Sequence, residues 1–151
     1  MLQNQKTKTL VTILLIVSAI GIADASYLTY EHYNQGIVPC SIGGCETVLT
    51  SDYATLGDFP ISLFGIIFYA LVFTLSLLIL KKGIQARLIY TIIGLTTAAF
   101  AASLGLIYLQ LFVIESICLY CMLSAGSSIT LFIVGLLLRK EYKNQENIPI
   151  S

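Results

Sequence analysis

Polar and apolar positions divide the chain into four long apolar runs, short polar connections and one longer loop. The first run extends from Leu10 to Tyr30 and is broken only by Asp24. The second runs from Ile61 to Leu80, the third from Leu88 to about Ile114, and the fourth from Ile117 to Leu138, none containing a charge. Each reaches the ~20 residues needed to cross a bilayer core. Backbone groups in lipid must bond internally, and no strand-like alternation is present, so the runs are helices rather than barrel strands. The pattern predicts an all-α integral membrane protein: one four-transmembrane-helix bundle occupying residues 1–151, with helices at about 10–30, 61–80, 88–114 and 117–138.

The outer loop, 31–60, contains Gly36, Pro39, Gly43, Gly44, Gly57 and Pro60. Between the glycines, Glu46 to Ala54 is amphipathic, with Val48, Leu49 and Tyr53 able to share one face at helical spacing. A short half-helix on the membrane surface is expected there. The polar tail, 141–151, is expected to fray.

Composition sharpens the class. Hydrophobic residues make up 57% of the 151 residues and charged residues 11%, against about 25% charged in soluble domains. This excludes a soluble enzyme and a disordered chain. It also excludes a nucleic-acid binder, because eight basic residues are matched by eight acidic ones and no basic surplus remains to neutralise phosphates.

The zero net charge conceals an asymmetry. Lys6 and Lys8 precede the first run, Lys81, Lys82 and Arg87 lie between the second and third, and Arg139, Lys140 and Lys143 follow the fourth. The 31–60 loop and the connection at Glu115 and Ser116 contain no Lys or Arg. By the positive-inside rule both termini are cytoplasmic and the 31–60 loop is extracytoplasmic. An alternative reads Lys6, Lys8 and Ala23-Asp24-Ala25 as a cleaved signal peptide. The apolar run continues through Tyr27, Leu28 and Tyr30, which favours a retained helix.

All four cysteines fall on the outer, oxidising side, where disulfides persist. They form two pairs by spacing, Cys40 with Cys45 and Cys118 with Cys121. Cys118-Leu119-Tyr120-Cys121 is a C-x-x-C at a helix start, with its cysteines on one face. The helix N-terminus favours a thiolate, so Cys118 should have the lower pKa. Cys121, one turn deeper, can meet a lipid-soluble partner. Cys40 and Cys45 sit in a Pro- and Gly-rich loop mobile enough to relay electrons from an outside protein. Two structural disulfides on a non-enzymatic membrane scaffold are the bland alternative, which the reactive spacing argues against. A four-cysteine zinc site has plausible spacing but suits an oxidising compartment poorly, so no metal is expected.

Asp24 lies about six residues inside the outer end of the first span, roughly 9 Å deep at 1.5 Å per residue. An intramembrane acid is a candidate proton acceptor, set against the plainer reading of an acid reaching headgroup water. His32, the only histidine, reads as interfacial. Phe64, Phe68 and Tyr69 are candidate pocket-lining aromatics, with plain packing as the alternative. Gly94, Ala98, Ala101, Ala102 and Gly105 form a small-residue stripe that suggests close helix contact.

Four separated motifs occur in order: Asp24-Ala25-Ser26-Tyr27-Leu28-Thr29, then Pro39-Cys40 through Cys45-Glu46-Thr47-Val48-Leu49-Thr50-Ser51, then Pro60-Ile61-Ser62-Leu63-Phe64-Gly65, then Cys118-Leu119-Tyr120-Cys121. Together they resemble the vitamin K epoxide reductase family in its prokaryotic-type form, over about residues 10–138. The resemblance implies a four-helix bundle around a quinone such as ubiquinone or menaquinone, in a bacterial or archaeal cell membrane. It implies that Cys121 meets the quinone and pairs with Cys118, that Cys45 exchanges with Cys118, that Cys40 faces a partner protein, and that Ser51 is the family's loop serine. The expected activity is oxidation of protein thiols to disulfides with a quinone as acceptor; reduction of a quinone epoxide is the alternative. Two positions that are Asn and Tyr in vertebrate members correspond here to Ile61 and Ala125. Some prokaryotic relatives carry a fused thioredoxin-like domain, whereas this chain ends at Ser151, so a separate thioredoxin-like partner on the outer side is expected.

Overall fold

The structure, a computed structural model, describes residues 5–41 and 43–147. In chain order the elements are α1 (Gln5–Asn34), α2 (Cys45–Leu49), a 3-10 turn (Asp52–Ala54), β1 (Thr55–Leu56), β2 (Phe59–Pro60), α3 (Ile61–Lys82), α4 (Ala86–Tyr108), a π-helical turn (Leu109–Val113) and α5 (Leu119–Glu146). Four helices are long and apolar enough to cross a membrane: Gln5–Asn34, Ile61–Lys82, Ala86–Val113 and Leu119–Glu146.

The surface and interior are those of a lipid-solvated bundle. Large apolar side chains such as Ile16, Ile20, Ile67, Leu71, Leu104, Phe112, Ile133 and Leu137 point outward. The buried core holds Val11, Leu14, Tyr69, Val72, Ile79, Ile89, Ile92, Leu131 and Leu138. Hydroxyls inside the bundle return their protons to carbonyls of their own helices: Ser18 to Leu14 at 2.6 Å, Ser76 to Val72 at 2.7 Å and Thr96 to Ile92 at 2.8 Å. Each polar group is thereby satisfied without water.

α1 packs most extensively on α3 and then on α5, and α4 packs mainly on α5, whereas α3 and α4 touch little. The bundle is therefore open between α3 and α4, and a cavity lies there. Where α4 meets α5, a Cβ on Gly135 would stand 3.5 Å from Thr96 Oγ1, and Phe100 stacks on Phe132 with centroids 4.9 Å apart.

Several expectations are corrected. α1 starts five residues earlier than Leu10 and ends four later than Tyr30, because polar termini outside the hydrocarbon continue the helix at no cost. Asp24 is thus ten residues from the end of α1, about 15 Å along its axis. α5 starts at Leu119 and runs through Glu146, so the tail is helical to that point; residues 148–151 lie outside the described ones. The half-helix expected over Glu46 to Ala54 is broken after Leu49: the Ser51 hydroxyl bonds the Val48 carbonyl at 2.7 Å and ends the turn. Val48 is buried and Leu49 half-buried, but Tyr53 is exposed. The antiparallel pair Thr55↔Pro60 and Leu56↔Phe59 was not anticipated; a two-residue loop led by Gly57 at φ +68° closes it. Finally, the stripe Gly94, Ala98, Ala101, Ala102 and Gly105 is not closely packed: all of these residues are half-exposed or more, and α4 buries Ile89, Ile92, Thr96 and Ser103 instead.

Candidate active site

The four cysteines converge at one end of the bundle. Cys40 and Cys45 are joined in a disulfide, with Cα atoms 5.9 Å apart, while Cys118 and Cys121 are free thiols. Cys45 and Cys118 are both 0% exposed and belong to one buried cluster with Val48, flanked by Cys40, Leu49, Ile114, Tyr120 and Cys121. The loop carrying the disulfide is therefore seated, rather than loose as its glycine and proline content suggested. Gly44 provides the seat: a Cβ there would collide with the Ile117 carbonyl oxygen and stand 2.9 Å from the Ile117 nitrogen. The Tyr120 hydroxyl adds a tether to the Pro39 carbonyl at 3.4 Å, and the Tyr120 ring packs on Tyr27 of α1 at 5.5 Å.

Cys118 is the N-cap of α5, in extended conformation, and immediately precedes the membrane-spanning helix. Its sulfur accepts the Cys121 N–H at 3.4 Å. Its own N–H donates to the Gln110 Oε1 at 2.9 Å. The pKa of Cys118 is lowered from the ordinary thiol value to about 7, chiefly by a hydrogen bond from the Cys121 side chain. Burial opposes this, the N–H groups of Cys121 and Tyr120 add to it, and the charge of Asp24 opposes it in turn. The thiol at the helix N-terminus is thus the one disposed to ionise.

Cys121 stands one turn further along α5 and lines the cavity between α3 and α4, which Cys118 does not. That cavity measures about 950 Å³, within the range of pockets that hold cofactor-sized molecules. Its walls include Phe64, Phe68 and Tyr69 from α3, Leu95, Ala98 and Ala102 from α4, and Ser124, Ala125 and Ser128 from α5. Ser51 and Thr55 from the loop lie across its mouth. Tyr69 donates its hydroxyl proton to the Ser124 carbonyl at 2.9 Å and lies 3.0 Å from the Ser124 hydroxyl, tying α3 to α5 at the cavity wall. The Ser62 hydroxyl accepts from Thr29 at 2.8 Å, tying α3 to α1 beside it.

Gln110 was not singled out by sequence. It lies in the π-helical turn, where the Ile114 N–H reaches back to the Leu109 carbonyl at 2.8 Å. The wider turn leaves Leu111, Phe112 and Val113 exposed and turns Gln110 inward, 3% exposed. A polar residue inside an otherwise apolar run was the one available signal; the π register that aims it has no sequence signature.

Residues 12–136 match the vitamin K epoxide reductase family. The chain belongs to that family. It is also 36% identical over 131 residues to the thiol-disulfide oxidoreductase LTO1 of Arabidopsis thaliana. That match covers 82% of this chain but 34% of the relative, so the chain spans about a third of that protein's length.

The structure groups most of the candidate residues that the sequence singled out. Ile61, Phe64, Phe68, Tyr69, Ser51, Ala125 and Cys121 all line the one cavity. Ile61 and Ala125 are apolar parts of its wall. Asp24 is separate: it is half-buried, does not line the cavity, and its Oδ2 is enclosed with no hydrogen-bond partner among the described residues. Its charge nonetheless opposes the Cys118 thiolate. His32 lies at the cavity mouth with its ring against Tyr33 at 5.6 Å. Among the described residues no three or more His, Cys, Asp or Glu side chains gather as metal ligands.

Proposed function

We propose that the chain is a membrane thiol–quinone oxidoreductase that makes disulfides on the cysteine-bearing side. The observation that carries this reading is the division of labour within the C-x-x-C: Cys118 packs with Cys45 of the loop disulfide, while Cys121 lines a largely apolar cavity opening between membrane-spanning helices. A single helical turn thus joins a protein-facing exchange point to a lipid-facing one.

The chemistry follows in three exchanges. A thioredoxin-like partner protein with two thiols reduces Cys40–Cys45 and is itself oxidised to the disulfide. The Cys45 thiolate then attacks Cys118 of a Cys118–Cys121 disulfide, expelling the Cys121 thiolate. Cys40 attacks Cys45, re-forming Cys40–Cys45 and releasing Cys118. The pairing in the structure, loop disulfide with inner dithiol, is the product of that step. Cys118 and Cys121 then close their disulfide, giving two electrons and two protons to a quinone in the cavity, which leaves as quinol. The apolar walls fit a quinone ring with the start of its prenyl chain, and the gap between α3 and α4 gives it a route to lipid. Asp24, whose Oδ2 has no hydrogen-bond partner among the described residues, holds a proton as the thiols ionise.

Orientation follows from charge. Every basic residue lies at the helix ends opposite the cysteines, so the cysteines face away from the cytoplasm, and the disulfides are made outside it.

The test is turnover of purified protein with a thioredoxin-like dithiol protein or dithiothreitol as donor and menadione or ubiquinone-1 as acceptor. Cys118→Ser and Cys121→Ser should each abolish quinone reduction. Cys40→Ser should block the protein donor, spare part of the dithiothreitol reaction, and accumulate a Cys45–Cys118 disulfide detectable by peptide mass mapping. Quinone turnover retained by Cys121→Ser would overturn the scheme.

A further inference from the structure

We infer that Gln110 is the hydrogen-bond donor that recognises a carbonyl oxygen of the cavity's occupant; the inference rests on the reading of that occupant as a quinone. The Cys118 backbone N–H can only donate, so the Gln110 amide must turn its oxygen toward it, as the 2.9 Å bond shows. That choice fixes the rest of the group: the NH2 end, with two donors and no acceptor capacity, points away from Cys118. The NH2 has no hydrogen-bond partner among the described residues and is not one of the fully enclosed unpartnered atoms. Gln110 as a whole is 97% buried and lines the cavity beside Cys121.

An amide left half-satisfied at the wall of an apolar cavity is unfavourable, and an acceptor arriving in the cavity relieves it. Three of the hydroxyls that line the cavity are already engaged as donors. The Tyr69 proton goes to the Ser124 carbonyl, and the Ser128 hydroxyl donates to the same carbonyl at 3.1 Å. The Ser51 hydroxyl donates to Val48. Ile61 and Ala125 offer no donor. Gln110 is the deeply buried side-chain amide among the lining residues, with N–H bonds uncommitted and able to meet an occupant's oxygen. The same side chain holds the Cys118 backbone through its other end, so filling the cavity and fixing the thiol pair are mechanically linked through one amide. The class of ligand selected is a planar, apolar ring bearing a carbonyl oxygen at its edge, as against an equally apolar ring without one.

The experiment measures discrimination between two such rings. Menadione is assayed as acceptor and 2-methylnaphthalene, the same ring system without carbonyl oxygens, as a competitive inhibitor. For Gln110→Met, the KM for menadione should rise about tenfold while the inhibition constant for 2-methylnaphthalene changes less than twofold. A role confined to the Cys118 backbone would slow the thiol steps and leave that ratio of affinities unmoved, which would overturn the inference. A second measurement needs no variant. In the infrared difference spectrum of 13C-carbonyl menadione bound to the unmodified protein, one carbonyl band should lie below its position in hexane, as hydrogen bonding requires. A band at the hexane position would equally overturn it. Absence of any menadione reduction by the unmodified protein would instead reject the underlying quinone reading, so the two failures are distinct.

Discussion

Gly44 and Ile117 meet backbone to backbone: a Cβ on Gly44 would strike the Ile117 carbonyl oxygen and stand 2.9 Å from its nitrogen. Each is followed directly by a fully buried cysteine, Cys45 and Cys118, so this contact sets how closely the two sulfurs approach. Neither neighbour is a flexible side-chain end that can step aside. Gly44→Ala should therefore push the loop off the start of α5, and a displacement near 1 Å is enough to cost about 100-fold in a positioned reaction. The expected outcome is a 10- to 100-fold slower transfer between loop and inner pairs in single-turnover stopped flow, with quinone reduction by pre-reduced Cys118 and Cys121 unchanged. Gly43→Ala is the control. Its φ of +75° makes the substitution strained, but nothing lies within 4 Å, so it should lower stability by about 1–2 kcal/mol without that kinetic defect.

That contact also marks where sequence reasoning ended. The four spans were legible because lipid forces long, nearly uncharged runs, and the gathering of the cysteines at one end was legible because alternate connections between four spans lie at the same end of a bundle. Helix ends were not, since residues such as Lys6, Tyr33 and Lys143 continue a helix in water as readily as in lipid. A Pro- and Gly-rich loop reads as mobile, yet Gly44 is there for close approach, which needs knowledge of its partner. Gln110 and the Gly21–Tyr69 contact depend on a π turn and on helix-to-helix register, neither of which a single sequence encodes visibly.

The pKa of Cys118 gives a pH dependence whose sign is fixed by its cause. A value lowered to about 7 means that the thiolate accumulates as pH rises through 7 and is lost below it. Because the first cause is the hydrogen bond from Cys121, Cys121→Ala should move the titration upward toward an ordinary thiol. At pH 7.5 the thiolate would fall from the majority form to a few per cent, on the order of 3%, if the value returned to near 9. Thiolate absorbance at 240 nm, referenced to Cys118→Ala with the loop disulfide intact, follows this directly. A midpoint unchanged in Cys121→Ala would refute the assignment.

Substitution of Asp24 tests the two half-reactions separately. The residue's enclosed Oδ2, without a hydrogen-bond partner among the described residues, makes it the candidate proton holder for the thiol pair. Asp24→Asn keeps the shape and removes the charge, which also removes an influence opposing the Cys118 thiolate. Thiol exchange with the loop pair should be as fast or faster, while quinone reduction should slow by about 100-fold, the low end of general acid–base contributions. Equal slowing of both half-reactions would show a structural role instead.

Gly21 and Tyr69 should be energetically coupled. A Cβ on Gly21 would overlap the Tyr69 ring, which is itself buried and held by its hydroxyl to Ser124 at 2.9 Å. Gly21→Ala should cost about 1–3 kcal/mol from overpacking. Tyr69→Phe should cost about 1 kcal/mol from the lost hydrogen bond, and it should leave the Gly21→Ala penalty intact because the ring remains. Tyr69→Ala removes the ring, so in that background Gly21→Ala should cost almost nothing. Thermal unfolding in detergent reads the cycle, and additive penalties for Gly21→Ala with Tyr69→Ala would rule out the contact as the cause.

Ala125 offers a way to close the cavity without touching a thiol. It is buried on α5, one turn beyond Cys121, and lines the cavity beside Ser124 and Ser128. Ala125→Phe adds a ring into the space that the acceptor would occupy, whereas neither Cys45 nor Cys118 lines that space. The KM for menadione should rise at least tenfold, and longer-chain quinones should suffer more because they need more of the about 950 Å³. Reduction of the Cys118–Cys121 disulfide by the loop pair should keep its rate, since that exchange takes place on the other side of Cys118. Parallel loss of both reactions would mean that the substitution had displaced the start of α5, and Ala125→Ser, which adds one oxygen rather than a ring, should then keep near-normal values for both.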